Sequence, residues 1–175
     1  MTDGGDEGRY LILGTIDGLL AVLGIIIGLA AATTNTEFIV RAALGGGIAL
    51  CLTNGIGSYL AETAVEYGRI SSVEHAMLED LRDTHIEKQA KRKIIRDSIT
   101  HGGASLIGSI IPVLPFLIIR DGIGVYISVV LCGIVLVVLG LYSGHVSGQS
   151  YVKSVVRMIG LGATIVIVCS LLGLR

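Results

Sequence analysis

Asp17 stands in the string Gly14-Thr15-Ile16-Asp17-Gly18-Leu19-Leu20, the one charged residue between Tyr10 and Thr34. A carboxylate near the middle of a membrane span costs about 3 kcal/mol even on the lenient insertion scale, and such groups line a pathway or pair with another polar group. Two readings follow. Asp17 is an ion or proton site, or it is a protonated acid hydrogen-bonded to a neighbouring helix. Gly14 and Gly18 leave room beside it for a cation or a symmetry mate.

A second set recurs every four residues. Asn54, Ser58, Glu62 and Glu66 fall on one face of a helix at that spacing. An oxygen-rich row suits hard or borderline divalent cations, and this one predicts a path from mid-membrane to the cytoplasmic mouth. A helix end emerging into water would explain the two glutamates but not Asn54 and Ser58. Asp17, Asn54, Ser58, Glu62 and Glu66 are therefore the expected transport path.

Glu74, His75, Glu79, Asp80, Asp83, His85 and Glu87 crowd the segment from Thr63 to Thr100. Like charges at helical neighbours repel by a few tenths of a kcal/mol, roughly, and a bound cation would relieve them. A solvated face balanced by Arg82, Lys88 and Lys91 is the competing reading. The candidate metal ligands are Asp17, Glu62, Glu66, His75, Glu79, Asp83 and Glu87. His101 and His145 read as interfacial polar residues, and Cys51, Cys132 and Cys169, isolated in apolar runs, read as small core residues.

The elements that carry these groups follow from the gaps between charges. The chain has 175 residues, 52% hydrophobic and 15% charged, with mean hydropathy +0.80. A spanning helix needs about 20 apolar residues. The gaps predict an all-α integral membrane protein, one membrane domain with five spans near residues 10–33, 39–61, 102–119, 123–142 and 156–174. A Gly/Ser-rich tail is expected from Tyr142 to Tyr151. Both prolines, Pro112 and Pro115, fall inside the third span, where each removes a backbone donor. That helix is expected to be kinked or broken, with carbonyl oxygens freed inside the bundle.

Residues 63–100 form a cytoplasmic helical hairpin between the second and third spans. Two capping boxes divide it, Ser71-x-x-Glu74 and Thr84-x-x-Glu87. The first predicts a short helix with Val73, Met77 and Leu81 as its apolar face. The second predicts a helix with Ile86, Ala90 and Ile94 inward, running into the third span. Gly14 and Gly18, Gly24 and Gly28, and Gly140, Gly144 and Gly148 form small-xxx-small pairs, read as tight helix packing or a dimer seam.

Counting Lys and Arg orients the bundle. With the N-terminus inside, the cytoplasmic segments hold Arg9, Arg69, Arg82, Lys88, Lys91, Arg92, Lys93, Arg96, Lys153 and Arg157. The outer segments hold only Arg41, Arg120 and Arg175. The N-terminus is expected in the cytoplasm and the C-terminus outside. The acidic opening lacks a small-residue cleavage site, so the first apolar run is expected to be retained as a helix. Net charge is −1, which gives no basic field to recruit nucleic acid. H-E-x-x-H, G-x-S-x-G and P-loop strings do not occur, which leaves a membrane enzyme without a motif to carry it.

Three stretches together resemble the vacuolar iron transporter family of divalent-cation/proton exchangers. They are Ile16-Asp17-Gly18-Leu19, Thr53-Asn54-Gly55-Ile56-Gly57-Ser58-Tyr59-Leu60, and His101 onward through Gly108-Ser109-Ile110-Ile111-Pro112-Val113-Leu114-Pro115-Phe116. The G-x-x-x-P-x-x-P-[FY] pattern is the most specific. The resemblance implies a five-span protomer, a homodimer with the cation route near its two-fold axis, and no permanently bound cofactor. It also implies Fe²⁺ or Mn²⁺ moved out of the cytoplasm in exchange for protons.

Asp17 matches the family's intramembrane carboxylate. Where the family has Ser-Met-Gly-x-Gly-Glu, this chain has Asn54 for the methionine and Ser58 for the glutamate, losing a soft thioether and a negative charge. Glu79 and Glu87 correspond to glutamates of the family's cytoplasmic metal-binding helices, with Ala76 and Ala90 in place of their partners. The expected setting is a prokaryotic cell membrane. A rival function is a non-transporting membrane scaffold or metal-sensing protein that keeps the transporter fold.

Overall fold

The computed structural model describes residues 4–78, 80–81, 84–119, 123–148 and 150–173. All regular structure among them is helical: α1 Gly4–Ala32, α2 Thr36–Met77, α3 His85–Ile110, a 3₁₀ turn Ile111–Val113, α4 Leu114–Ile118, α5 Ile123–Ser147 and α6 Tyr151–Gly173. Taking α3, the 3₁₀ turn and α4 as one span, five stretches are long and apolar enough to cross a bilayer. This is an integral membrane protein.

α1 is the centre of the bundle and packs on α2, α3, α5 and α6. One of its faces, Leu19, Leu20, Leu23 and Ile27, packs with Cys132 and Leu136 of α5 and Met158 of α6. Another, Val22 and Ile26, packs with Ile39 and Ala43 of α2 and with Val113 and Phe116 beyond the proline break. α2 is peripheral, and its outward row Ile48, Leu52, Ile56 and Leu60 is exposed. That inversion of the soluble pattern, apolar outside and polar within, suits a helix solvated by lipid on one side.

The third span breaks where its prolines predict. α3 gives way to the 3₁₀ turn, with Pro112 inside it and Pro115 at the start of α4. The broken backbone finds its partner on α5, where the Ser128 hydroxyl, fully buried, donates to the Pro112 carbonyl at 2.7 Å.

Two local expectations are corrected. Ser71 opens no helix, because α2 runs unbroken for 42 residues. The neighbouring Ser72 instead donates back to the Gly68 carbonyl at 2.9 Å, which satisfies a serine inside a helix without ending it. α2 stops only at Leu78, in the left-handed conformation at φ 54°, and Glu74 accepts the Leu81 backbone N–H at 2.9 Å. The hairpin is thus built from extensions of the spanning helices, closed by Ile70, Leu81 and Ala90. Val73, Met77 and Ile86 stay exposed.

The expected Gly/Ser tail is also helical. α5 continues to Ser147 and turns at Gly148, φ +63°, a usual left-handed helix stop. Gly140 and Gly144 admit α6, lying against Val155 and Tyr151.

Candidate functional site

The polar row of α2 faces a second row on α3. Lys93, Asp97, His101, Ser105 and Ser109 recur every four residues, and because the helices are antiparallel each step down α2 is matched by a step up α3. Asn54 donates its amide to Ser105 Oγ at 2.7 Å. Ser58 Oγ and His101 Nδ1 are 2.5 Å apart. Lys93 Nζ donates to Glu66 Oε1 at 2.7 Å. Between these last two rungs come Glu62 and Asp97, the next members of the two rows. α1 reaches Glu62, whose carboxylate accepts the Tyr10 hydroxyl.

Close helix approach brings the rows together. At Gly18 an added Cβ would collide with the Ser105 carbonyl, and at Gly102 with the backbone of Cys51 and Gly55. Asp17 projects between these contacts. Its Oδ2 accepts the Asn54 amide at 3.4 Å and lies 3.8 Å from His101 Nε2, while 45% of its side chain remains exposed on the protomer.

Among the described residues Asp97 is the most enclosed charge, at 0% exposure. Its Oδ1 accepts Arg96 Nε–H at 3.3 Å, while Oδ2 has no hydrogen-bond partner. Toward the end of the bundle where the hairpin begins, the rows open into a cavity of about 1420 Å³. Glu62 and Glu66 reach it, ringed by Arg9, Arg69, Arg92, Lys93 and Arg96.

Among the sequence candidates, Asp17, Asn54, Ser58, Glu62 and Glu66 lie along one connected strip, and Tyr10, Lys93, Asp97, His101 and Ser105 join it. His101 is not interfacial. It is buried, between Ser58 and a Tyr10 ring 5.5 Å away. The four-residue period of α3 was the signal that could have found Lys93, Asp97, His101 and Ser105; Tyr10, on α1, lies outside that period.

The hairpin candidates are not gathered in the same way. Glu79 and Asp83 lie outside the described residues. His75 is exposed near the end of α2, and Glu87 is bound by Lys91 at 2.7 Å and by the Tyr67 hydroxyl at 3.3 Å. Among the described residues no three His, Cys, Asp or Glu side chains group to hold a metal.

Comparison with known proteins gives three matches. A family model described as the VIT family matches residues 67–174. An uncharacterized protein of Methanocaldococcus jannaschii is 32% identical over 172 residues, spanning 96% of this chain and 90% of its own length. Vacuolar iron transporter 1 of Arabidopsis thaliana is 22% identical over 204 aligned positions, spanning 91% of this chain and 82% of its own length.

Proposed function

Because the chain belongs to the VIT family, we propose that it is a secondary transporter moving a divalent transition-metal cation, Fe²⁺ or Mn²⁺, across the membrane in exchange for protons. One observation carries this reading: Asp17, deep in an apolar helix, turns a carboxylate that is 45% exposed toward a strip of polar side chains. Lipid offers such a group no hydrogen bond. A permeating cation, water or a second copy of the chain does.

Asp17 binds the cation, and Asn54 and Ser58 orient the groups around it. Glu62, with its Tyr10 partner, continues the route toward the cytoplasmic cavity. Coupling follows from competition, since a carboxylate neutralised by a proton is a poor cation ligand. The outward face of α1, with Leu13, Ala21 and Gly28 exposed around Asp17, supports a homodimer that places two Asp17 side chains near its axis.

Metal flux into liposomes under a pH gradient, with Fe²⁺, Mn²⁺, Co²⁺, Zn²⁺ and Ca²⁺ compared, tests the proposal. Gradient-driven Fe²⁺ or Mn²⁺ flux is the expected result. Binding without flux would support the second reading, a metal-sensing or scaffold protein, which the hydrogen-bonded rungs Asn54–Ser105 and Glu66–Lys93 favour.

A further inference from the structure

We propose that His101 is the nitrogen ligand of the Asp17 cation site, and that it makes the site discriminate borderline transition-metal ions from Mg²⁺ and Ca²⁺. The inference rests on the transport reading for the site's existence and adds its ligand chemistry.

His101 is fixed on three sides. Its backbone belongs to α3, and Nδ1 meets Ser58 Oγ at 2.5 Å. The ring leans on Tyr10 at an interplanar angle of 43°. The imidazole has little freedom to turn, and its remaining nitrogen points one way. That atom, Nε2, is buried and has no hydrogen-bond partner. The side chain is 9% exposed, and the nearest counter-charge to Nε2 is Asp17 Oδ2 at 3.8 Å.

A separation of 3.8 Å is too long for a hydrogen bond. It fits two ligands of one ion: bonds of about 2.0–2.2 Å put such atoms roughly 3.4 Å apart at a tetrahedral angle and about 4.2 Å apart in line. Asn54 sits at the same point, its amide 3.4 Å from Asp17 Oδ2, and rotation of that amide presents its oxygen to the ion. The set is then one imidazole nitrogen with carboxylate and amide oxygens.

Imidazole suits Fe²⁺ and Zn²⁺, while the hard cations Mg²⁺ and Ca²⁺ prefer oxygen ligands. Ser58 is a positioning residue. By accepting Nδ1–H it leaves the Nε2 lone pair free for the metal, the role that hydrogen-bond partners of metal-bound histidines commonly play.

Mn²⁺, which is paramagnetic, is the probe, bound to the full-length untagged protein in lipid nanodiscs. Electron spin echo spectra of bound Mn²⁺ are expected to carry ¹⁴N modulation from a directly bound imidazole. His101→Gln should abolish that modulation and lower the Fe²⁺-over-Ca²⁺ preference, read by competition against bound Mn²⁺, at least tenfold, while Ser58→Ala should weaken Mn²⁺ binding several-fold and keep the modulation.

If His101→Gln does not fold, a triple His75→Gln, His85→Gln, His145→Gln variant leaves His101 as the remaining one of the four histidines. In that variant the nitrogen signal must persist. Wild-type spectra without ¹⁴N modulation, modulation lost in the triple variant, or unchanged selectivity in a folded His101→Gln protein overturn the assignment.

The flux assay separates this inference from the reading beneath it. Flux with nitrogen-free Mn²⁺ spectra removes His101 and keeps the transporter. Nitrogen-bound Mn²⁺ without flux keeps the site and removes transport.

Discussion

Lys93 closes on Glu66 at 2.7 Å where α2 and α3 leave the bundle for the hairpin, with 22% and 10% of their side chains exposed. Arg69 reaches the same carboxylate oxygen at 3.4 Å from the more exposed side. A pair this enclosed is costly to break by halves, because the remaining charge stays desolvated.

Lys93→Gln is therefore expected to destabilise the protein by about 3 kcal/mol, and Glu66→Gln combined with Lys93→Gln by about 1 kcal/mol or less. A double-mutant cycle on thermal unfolding in detergent reads the coupling. Additive single effects would show that the two residues do not act as a pair.

Asp17→Asn is expected to abolish cation flux while the protein still folds and inserts. The amide keeps the size of the side chain and can still bond with Asn54, but it carries neither the charge nor the titratable proton. Liposome flux across a range of pH checks this, with size-exclusion elution as the control for folding. Flux that stays intact and pH-dependent would remove Asp17 from the mechanism.

Gly18→Ala places a methyl group against the Ser105 carbonyl, a backbone atom that cannot swing aside. Overpacking of this kind costs about 1–3 kcal/mol. Gly28→Ala meets nothing within 4 Å on the protomer and is expected to leave the unfolding temperature of the protomer unchanged. Equal effects of the two substitutions would mean that the α1–α3 contact is not as close as described.

Cysteine-accessibility labelling is expected to place the N-terminus and the hairpin on the cytoplasmic side and the C-terminus on the other, following the Lys and Arg bias. Both termini on one side would require an even number of crossings and contradict five spans.

Much of this was legible in the sequence because it is local. Long gaps with at most one charge mark the spans, paired prolines mark the break in the third, and the four-residue period of Asn54 to Glu66 marks one face of α2. The matching row on α3 has the same period, yet it runs from the charge-rich stretch around Lys93 into the apolar stretch beyond Gly102. Any window tuned to one kind of solvent cuts it in two. His101 was misjudged for that reason, since its burial depends on partners 43 and 91 residues away, Ser58 and Tyr10, and single-chain periodicity does not set the register between helices. The end of α2 was misplaced by a different cause. A capping box is permissive, and nothing between Glu62 and Met77 obliges the helix to stop.

The matched four-residue steps of α2 and α3 make the two helices a phased pair. Each residue added to one helix between Ser58 and Glu66 turns everything beyond it by about 100°, which would carry Glu66 away from Lys93 while Asn54 stayed beside Ser105. A change of seven residues leaves a phase error of only about 20°, and then only if the other helix changes equally. Length variation in this part of the protein is accordingly expected in paired blocks of two turns, with single insertions confined to the connection between Leu78 and Thr84.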